Sequence, residues 1–121
     1  TSQVHFYGRL PAREAFSLGS VMVVPSRAES FPYIVLEGAA ALKPLICTDV
    51  GGISEIVSGS TTDLIRSDDI DDLTSAMQHA ATYPDQMMDR AENLQKTIQQ
   101  KFTVERMASE ITDFYLSALK R

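Results

Sequence analysis

Residues 21–48 read VMVVPSRAESFPYIVLEGAAALKPLICT, and the succession of textures in them decides the fold. Val21–Val24 is apolar at every position, the pattern of a strand covered on both faces. Pro25 stops it, and a polar loop follows from Ser26 to Ser30. Pro32, a favoured first helical residue, opens a helix expected to run to Lys43, just ahead of Pro44. Leu45–Thr48 is a second apolar strand. Two covered strands joined by a helix imply a parallel pair, because a parallel connection has to cross the sheet whereas an antiparallel one needs only a short turn.

The same alternation extends in both directions. Upstream, Val4–Tyr7 is a β-prone run closed by Gly8, and Ala12, Ala15, Phe16 and Gly19 fall at helical spacing. Downstream, Asp49-Val50-Gly51-Gly52 makes a turn into a short helix at Ser54–Val57, and Leu64-Ile65 is a last short strand after the turn at Gly59. Three amphipathic stripes follow: Ile70, Leu73, Met77 and Ala80; Met87, Ala91, Leu94 and Ile98; then Val104, Met107, Ala108, Ile111, Tyr115 and Ala118. The breaks fall at Tyr83-Pro84 and Phe102-Thr103, with Thr103 an N-cap for the last helix. The expected fold is α/β: the second half of a Rossmann-like, doubly wound parallel sheet of about four strands, with C-terminal helices.

Length and charge narrow the function classes. At 121 residues the chain supplies one core, and residues 1–121 are read as one partial domain. Hydrophobic residues are 44% and charged residues 22%, ordinary for a globular protein. The formal charge of −5, from 16 acidic and 11 basic side chains, leaves no basic footprint for nucleic acid. A single cysteine excludes an internal disulfide and a CxxC zinc site. Glu37 and Lys43 interrupt the longest apolar stretches, so none spans a bilayer. The polar opening Thr1-Ser2-Gln3 is unlike a signal peptide, and a cytoplasmic location is expected.

The candidate site lies where Pro25–Glu37 leaves one strand and enters a helix, since ligands of open α/β sheets bind outside the carboxyl ends of the strands. First-turn amides at Phe31, Tyr33 and Ile34 suit an anion, a diphosphate in particular. Glu37 is the only strongly ionisable side chain from Pro32 to Leu42. Such a helix is expected to be buried on most faces, where a carboxylate needs a partner. Two readings account for it: the vicinal hydroxyls of a ribose, or a structural pairing with an amide or basic residue of a neighbouring loop. Glu29 likewise has two readings, a ligand contact or a loop carboxylate favoured by the helix dipole.

Glu29 and Glu37 stand in E-x7-E spacing, and PSRAESFPYIVLEGAA resembles the donor-site signature of the retaining GT-B glycosyltransferases of family GT4. VHFYGRL, VMVVPS and KPLICTDVGGISEIV resemble three further segments of that family in the same order, and Lys101-Phe102-Thr103 with Tyr115 resembles its C-terminal helices. The resemblance covers practically the whole chain.

It implies a catalytic Glu29 contacting hydroxyls of the donor hexose, and Glu37 holding the ribose. Main-chain groups of Ser30, Phe31, Pro32 (carbonyl only), Tyr33 and Ile34 would bind the diphosphate and sugar, while Gly8 and Arg9, in the turn Tyr7–Leu10, would border the base. It also implies a nucleotide-sugar donor, UDP-linked in the first instance, with a glycan, lipid-linked or small-molecule acceptor. No metal or other cofactor and no nucleic acid is expected, and the configuration of the transferred sugar would be retained. In such families an Arg and a Lys from the first strands of the same domain neutralise the diphosphate, and a separate N-terminal domain carries the acceptor site. Arg9, Arg27 and Lys43 match neither basic position, so the chain alone is expected to be inactive. A parent protein could place it at the inner face of a membrane.

Two departures stand out: Pro32 replaces a usual glycine, and Gly59–Ile65 lacks the second glycine of the family's loop. The alternative function is a non-catalytic α/β nucleotide-binding or interaction module, in which loss of the Glu29–Glu37 pair would be expected.

Other features have plain explanations. Asp68, Asp69, Asp71 and Asp72 lack the spacing, glycine and closing glutamate of a calcium loop and read as helix-start acids. His5 and His79 have no second histidine at ligand spacing, and Cys47 reads as a small buried hydrophobe. An unpaired sheet edge, beside Val4–Tyr7 or Val21–Val24, is expected to promote self-association.

Overall fold

The computed structural model describes residues 3–28 and 32–101. In chain order its elements are α1 (Ala12–Ser17), β1 (Met22–Val24), α2 (Tyr33–Ala40), β2 (Leu45–Thr48), α3 (Gly52–Val57), β3 (Leu64–Ile65), α4 (Ile70–Thr82) and α5 (Pro84–Lys101). The strands form one parallel sheet in the order β1-β2-β3. Met22, Val23 and Val24 stand beside Leu45, Ile46 and Cys47, and Cys47 and Thr48 stand beside Leu64 and Ile65. All four residues of β2 are buried, which is why that strand reads as continuously apolar until Thr48.

Alternation along the strands sorts the core into two layers. On one face Leu45 and Cys47 pack with Met22, Val24 and Leu64 under Val35, Leu36 and Ala39 of α2, Ile53, Ile56 and Val57 of α3, and Leu94 and Ile98 of α5. On the other, Ile46 and Ile65 pack with Val21 and Val23 under Leu73, Ala76 and Ala80 of α4, joined by Met87. Thus α5 reaches both layers, as its 18 residues span about 27 Å. Burying a side chain such as Leu94 or Ile53 contributes about 1.5–3 kcal/mol, so these layers dominate the stability.

Several expectations need correction. Val4–Tyr7 is not a strand: it runs as exposed coil, with Phe6 94% exposed. A β-prone run forms a strand only against a neighbour, and the described sheet ends at β1 and β3. Among the described residues the sheet therefore has three strands in place of about four. Pro32 is the N-cap of α2 and not its first helical residue, with an extended ψ of 91°. Its carbonyl accepts the Val35 amide at 3.0 Å. At the other end α2 stops short of Lys43, because Leu42 takes a left-handed φ of 58°. The Leu42 amide donates to Ala39 O and the Lys43 amide to Gly38 O, a Schellman closure with leucine where glycine is usual.

The α4 stripe is also turned from its expected setting. Ile70 and Met77 are 80% and 50% exposed, and Leu73, Ala76 and Ala80 face the sheet. At about 100° per residue, Ile70 and Met77 sit some 40–60° round the helix from Leu73, on its flank. The α5 stripe of Met87, Ala91, Leu94 and Ile98 is buried as expected. The acidic cluster begins α4: Asp69 caps it by accepting the Asp72 amide at 2.9 Å, and Asp71 and Asp72 lie in the first turn. The stripe from Val104 to Ala118, with Thr103, lies outside the described residues.

Candidate functional site

The carboxyl ends of all three strands lie along one edge of the sheet, because the strands are parallel. From that edge the chain enters α2, α3 and α4, so three helix N-termini start there. Backbone hydrogen bonding alone does not hold the connecting loops. Thr48, 2% exposed at the end of β2, donates its hydroxyl to the Ser26 carbonyl at 2.6 Å. Arg27 pairs with Asp68 at 2.8 Å across to the β3–α4 loop. The Asp49 amide donates to Ile65 O at 2.8 Å. Beneath these links lies a crevice of about 280 Å³ bordered by Pro25, Arg27, Thr48, Ile65 and Asp68. The sequence carried one sign of this lacing, a lone hydroxyl residue closing an otherwise apolar strand; the Arg27–Asp68 pairing carried none.

The second loop shows why it contains Gly51-Gly52. Gly51 has φ 46° and ψ −131°, a combination that a side chain disfavours. Gly52 is buried as the first residue of α3. The Ser54 hydroxyl returns a hydrogen bond to Gly51 O.

Along α2, Val35, Leu36, Gly38 and Ala39 are buried, and Glu37 is exposed with Tyr33 and Ile34. The expectation that Glu37 sits on a helix buried on most faces is therefore corrected: the sheet covers one side of α2 only. No burial cost has to be offset at this carboxylate, which presents two acceptor oxygens to solvent one helical turn after Tyr33. Tyr33 and Ile34 form the first turn of α2. Pro32 contributes no N–H and is buried. Gly8 has a left-handed φ of 68° with open space around it, and Arg9 beside it is exposed. Glu29, Ser30 and Phe31 lie outside the described residues.

Other singled-out residues have structural tasks. Lys43 donates to Gly19 O at 2.9 Å and so ties the turn before β1 to the end of α2. Beside it, a groove of about 470 Å³ runs along β1 between Phe16 and Ile34. Cys47 is buried, and desolvation pushes its thiol pKa up to about 11, so it is an inert hydrophobe. His79 shares a hydrogen bond with Gln86 and stacks at an angle on Tyr83, at the α4–α5 corner. No helix among the described residues is long and apolar enough to cross a membrane.

Comparison with known proteins adds independent information. Residues 1–82 match the family described as "Glycosyl transferases group 1". The chain is 34% identical over 86 residues to the D-inositol 3-phosphate glycosyltransferase of Gordonia bronchialis, covering 69% of the chain and 19% of that protein. It is 32% identical over 101 residues to the lipopolysaccharide core biosynthesis mannosyltransferase LpcC of Rhizobium leguminosarum bv. viciae, covering 83% and 29%. A glycogen synthase of Mycobacterium tuberculosis is 28% identical over 117 residues, covering 93% and 28%. The chain thus spans less than a third of the length of these relatives. No solved structure gives a significant match. The parallel α/β sheet, the segments ordered along its carboxyl edge and the match over residues 1–82 agree, and the chain belongs to the group 1 glycosyl transferases.

Proposed function

We propose that this chain forms part of the nucleotide-sugar donor site of a retaining GT-B glycosyltransferase of the GT4 type. The observation that supports it best is Glu37, solvent-facing on the first helix after β1, in E-x7-E spacing with Glu29 and beside a helix N-terminus at the carboxyl edge of the sheet. In this reading Glu37 accepts hydrogen bonds from both ribose hydroxyls, and Glu29 contacts the donor hexose. Amides at the start of α2 meet the diphosphate, favoured there by the helix dipole. Pro32 gives its carbonyl to Val35 and contributes none of these donors. Gly8 and Arg9 border the base.

The reaction moves a hexose from the diphosphate to an acceptor hydroxyl with retention of configuration, without a metal. The anomeric carbon–oxygen bond to the β-phosphate breaks as the acceptor oxygen bonds to the same face of the anomeric carbon, and the departing phosphate takes up the acceptor proton. The relatives' printed names span an inositol phosphate, a lipopolysaccharide core and glycogen, so the acceptor is assigned to a part of the parent outside this chain. The basic residues that neutralise the diphosphate are assigned there too. The chain alone therefore binds donor weakly and does not transfer sugar. Its setting is cytoplasmic.

An amide NMR titration of the labelled chain with millimolar UDP, GDP and UDP-glucose tests this. Shifts are expected at residues 7–10 and 30–37, largest for the UDP ligands and absent in Glu37→Ala. A folded chain that shows no shifts with any of the three, or shifts that Glu37→Ala leaves in place, would refute the reading.

A further inference from the structure

Thr48 is the single buried polar side chain among the described residues. It lies one position beyond Cys47, the partner of Val24 at the end of β1. At that point β1 gives way to Pro25, which has no N–H to continue a ladder. The next link between the two chain segments is the Thr48 hydroxyl, donated to Ser26 O at 2.6 Å. A crevice of about 280 Å³ borders Pro25, Arg27 and Thr48. A second tether, Arg27 to Asp68, joins side chains 82% and 64% exposed, where solvent screens the charges.

We infer that Thr48 is a positioning residue, whose hydroxyl fixes the path of residues 25–28 as the chain leaves β1 and so sets this part of the carboxyl edge at which the nucleotide-sugar is proposed to bind. The structural half of this inference stands on the geometry alone, and the binding half rests on the donor reading proposed above. A hydroxyl buried in the sheet is a suitable anchor. It is largely shielded from solvent, its partner is a main-chain atom, and all four residues of the strand that carries it are buried.

Thr48→Val keeps the shape and removes the donor, while Thr48→Ser keeps the donor and removes a methyl. Asp68→Asn opens the outer tether and retains a residue type that tolerates the left-handed φ of 55° found there. Amide hydrogen exchange and UDP-glucose titration by NMR are read on the full chain and all three variants. Thr48→Val is expected to raise exchange at Arg27 and Ala28 about tenfold more than in α5, the factor that one buried hydrogen bond represents. It is expected to weaken UDP-glucose binding by about the same factor. Thr48→Ser and Asp68→Asn are each expected to stay within about twofold of the parent sequence.

Unchanged exchange at residues 26–28 in Thr48→Val would overturn the inference. So would a Thr48→Ser chain with loop exchange raised about tenfold, which keeps the test decisive even if Thr48→Val fails to fold. If the unmodified chain binds no nucleotide, the donor reading falls and the exchange result still decides the role of Thr48. If it binds and Thr48→Val alters exchange without altering affinity, the link from Thr48 to the ligand is refuted.

Discussion

Gly38 follows Glu37 on the inner face of α2, and a Cβ built there would stand 2.6 Å from Met22 Cε, 3.1 Å from Met22 Sδ and 3.2 Å from Leu45 Cδ2. Gly38→Ala therefore combines two opposed effects. Replacing glycine inside a helix favours folding by about 0.8–1 kcal/mol. Forcing a methyl into a filled layer costs about 1–3 kcal/mol, and the lower half of that range applies because a thioether end can swing aside. The net expectation is a loss of about 0.5–1 kcal/mol. In a Met22→Ala background the two closest atoms are gone and only the Leu45 contact remains, which a few tenths of an ångström relieve. There Gly38→Ala should stabilise by about 0.5 kcal/mol, giving a coupling near 1–1.5 kcal/mol. Urea unfolding of the four chains, followed by far-ultraviolet circular dichroism since there is no tryptophan, measures the cycle. Additivity within about 0.3 kcal/mol, or a stabilising Gly38→Ala in the parent sequence, would refute the close approach of α2 to the sheet. That approach also sets where Glu37 stands, so Gly38→Ala should weaken nucleotide binding in the parent sequence and less so beside Met22→Ala.

Burial raises the Cys47 thiol pKa from 9.0 to about 11. An acid with a raised folded pKa adds no pH dependence below the unfolded value, so the thiol's contribution should be flat to pH 9 and then lower the stability by up to about 1.4 kcal/mol per unit towards pH 11. Unfolding midpoints of Cys47→Ala, measured over the same range, should lack that component; an identical alkaline slope would refute it. Asp69→Ala removes the α4 cap and should cost about 1 kcal/mol in urea unfolding, against no change if the cap is immaterial. With β1 at one end of the described sheet, sedimentation equilibrium of the chain should show concentration-dependent association, and a monomer at millimolar concentration would count against it.

The order of strands and helices was legible because each has a period or a stop signal of its own. Leu45–Thr48 is apolar throughout and lies at the centre of the sheet, and Met87, Ala91, Leu94 and Ile98 keep helical spacing and line the core. Val4–Tyr7 carries an equally clear β signal and forms no strand, since pairing belongs to the partner as much as to the segment. Leu42 ended α2 against its propensity, through two hydrogen bonds that the sequence has no glycine to announce.

For the site, the sequence by itself determined the residue types and their spacing: two glutamates eight positions apart, on either side of a strand-to-helix passage at the carboxyl edge. Those follow from local chemistry, because an extended run, a proline and a helix start can each be read within a few residues. Tertiary structure decided everything that depends on what lies across space. It turned Glu37 to solvent although its neighbours are apolar, because only one side of α2 has a sheet to lie on. It also joined Thr48 to Ser26 and Arg27 to Asp68, contacts 22 and 41 positions apart along the chain that no local pattern encodes.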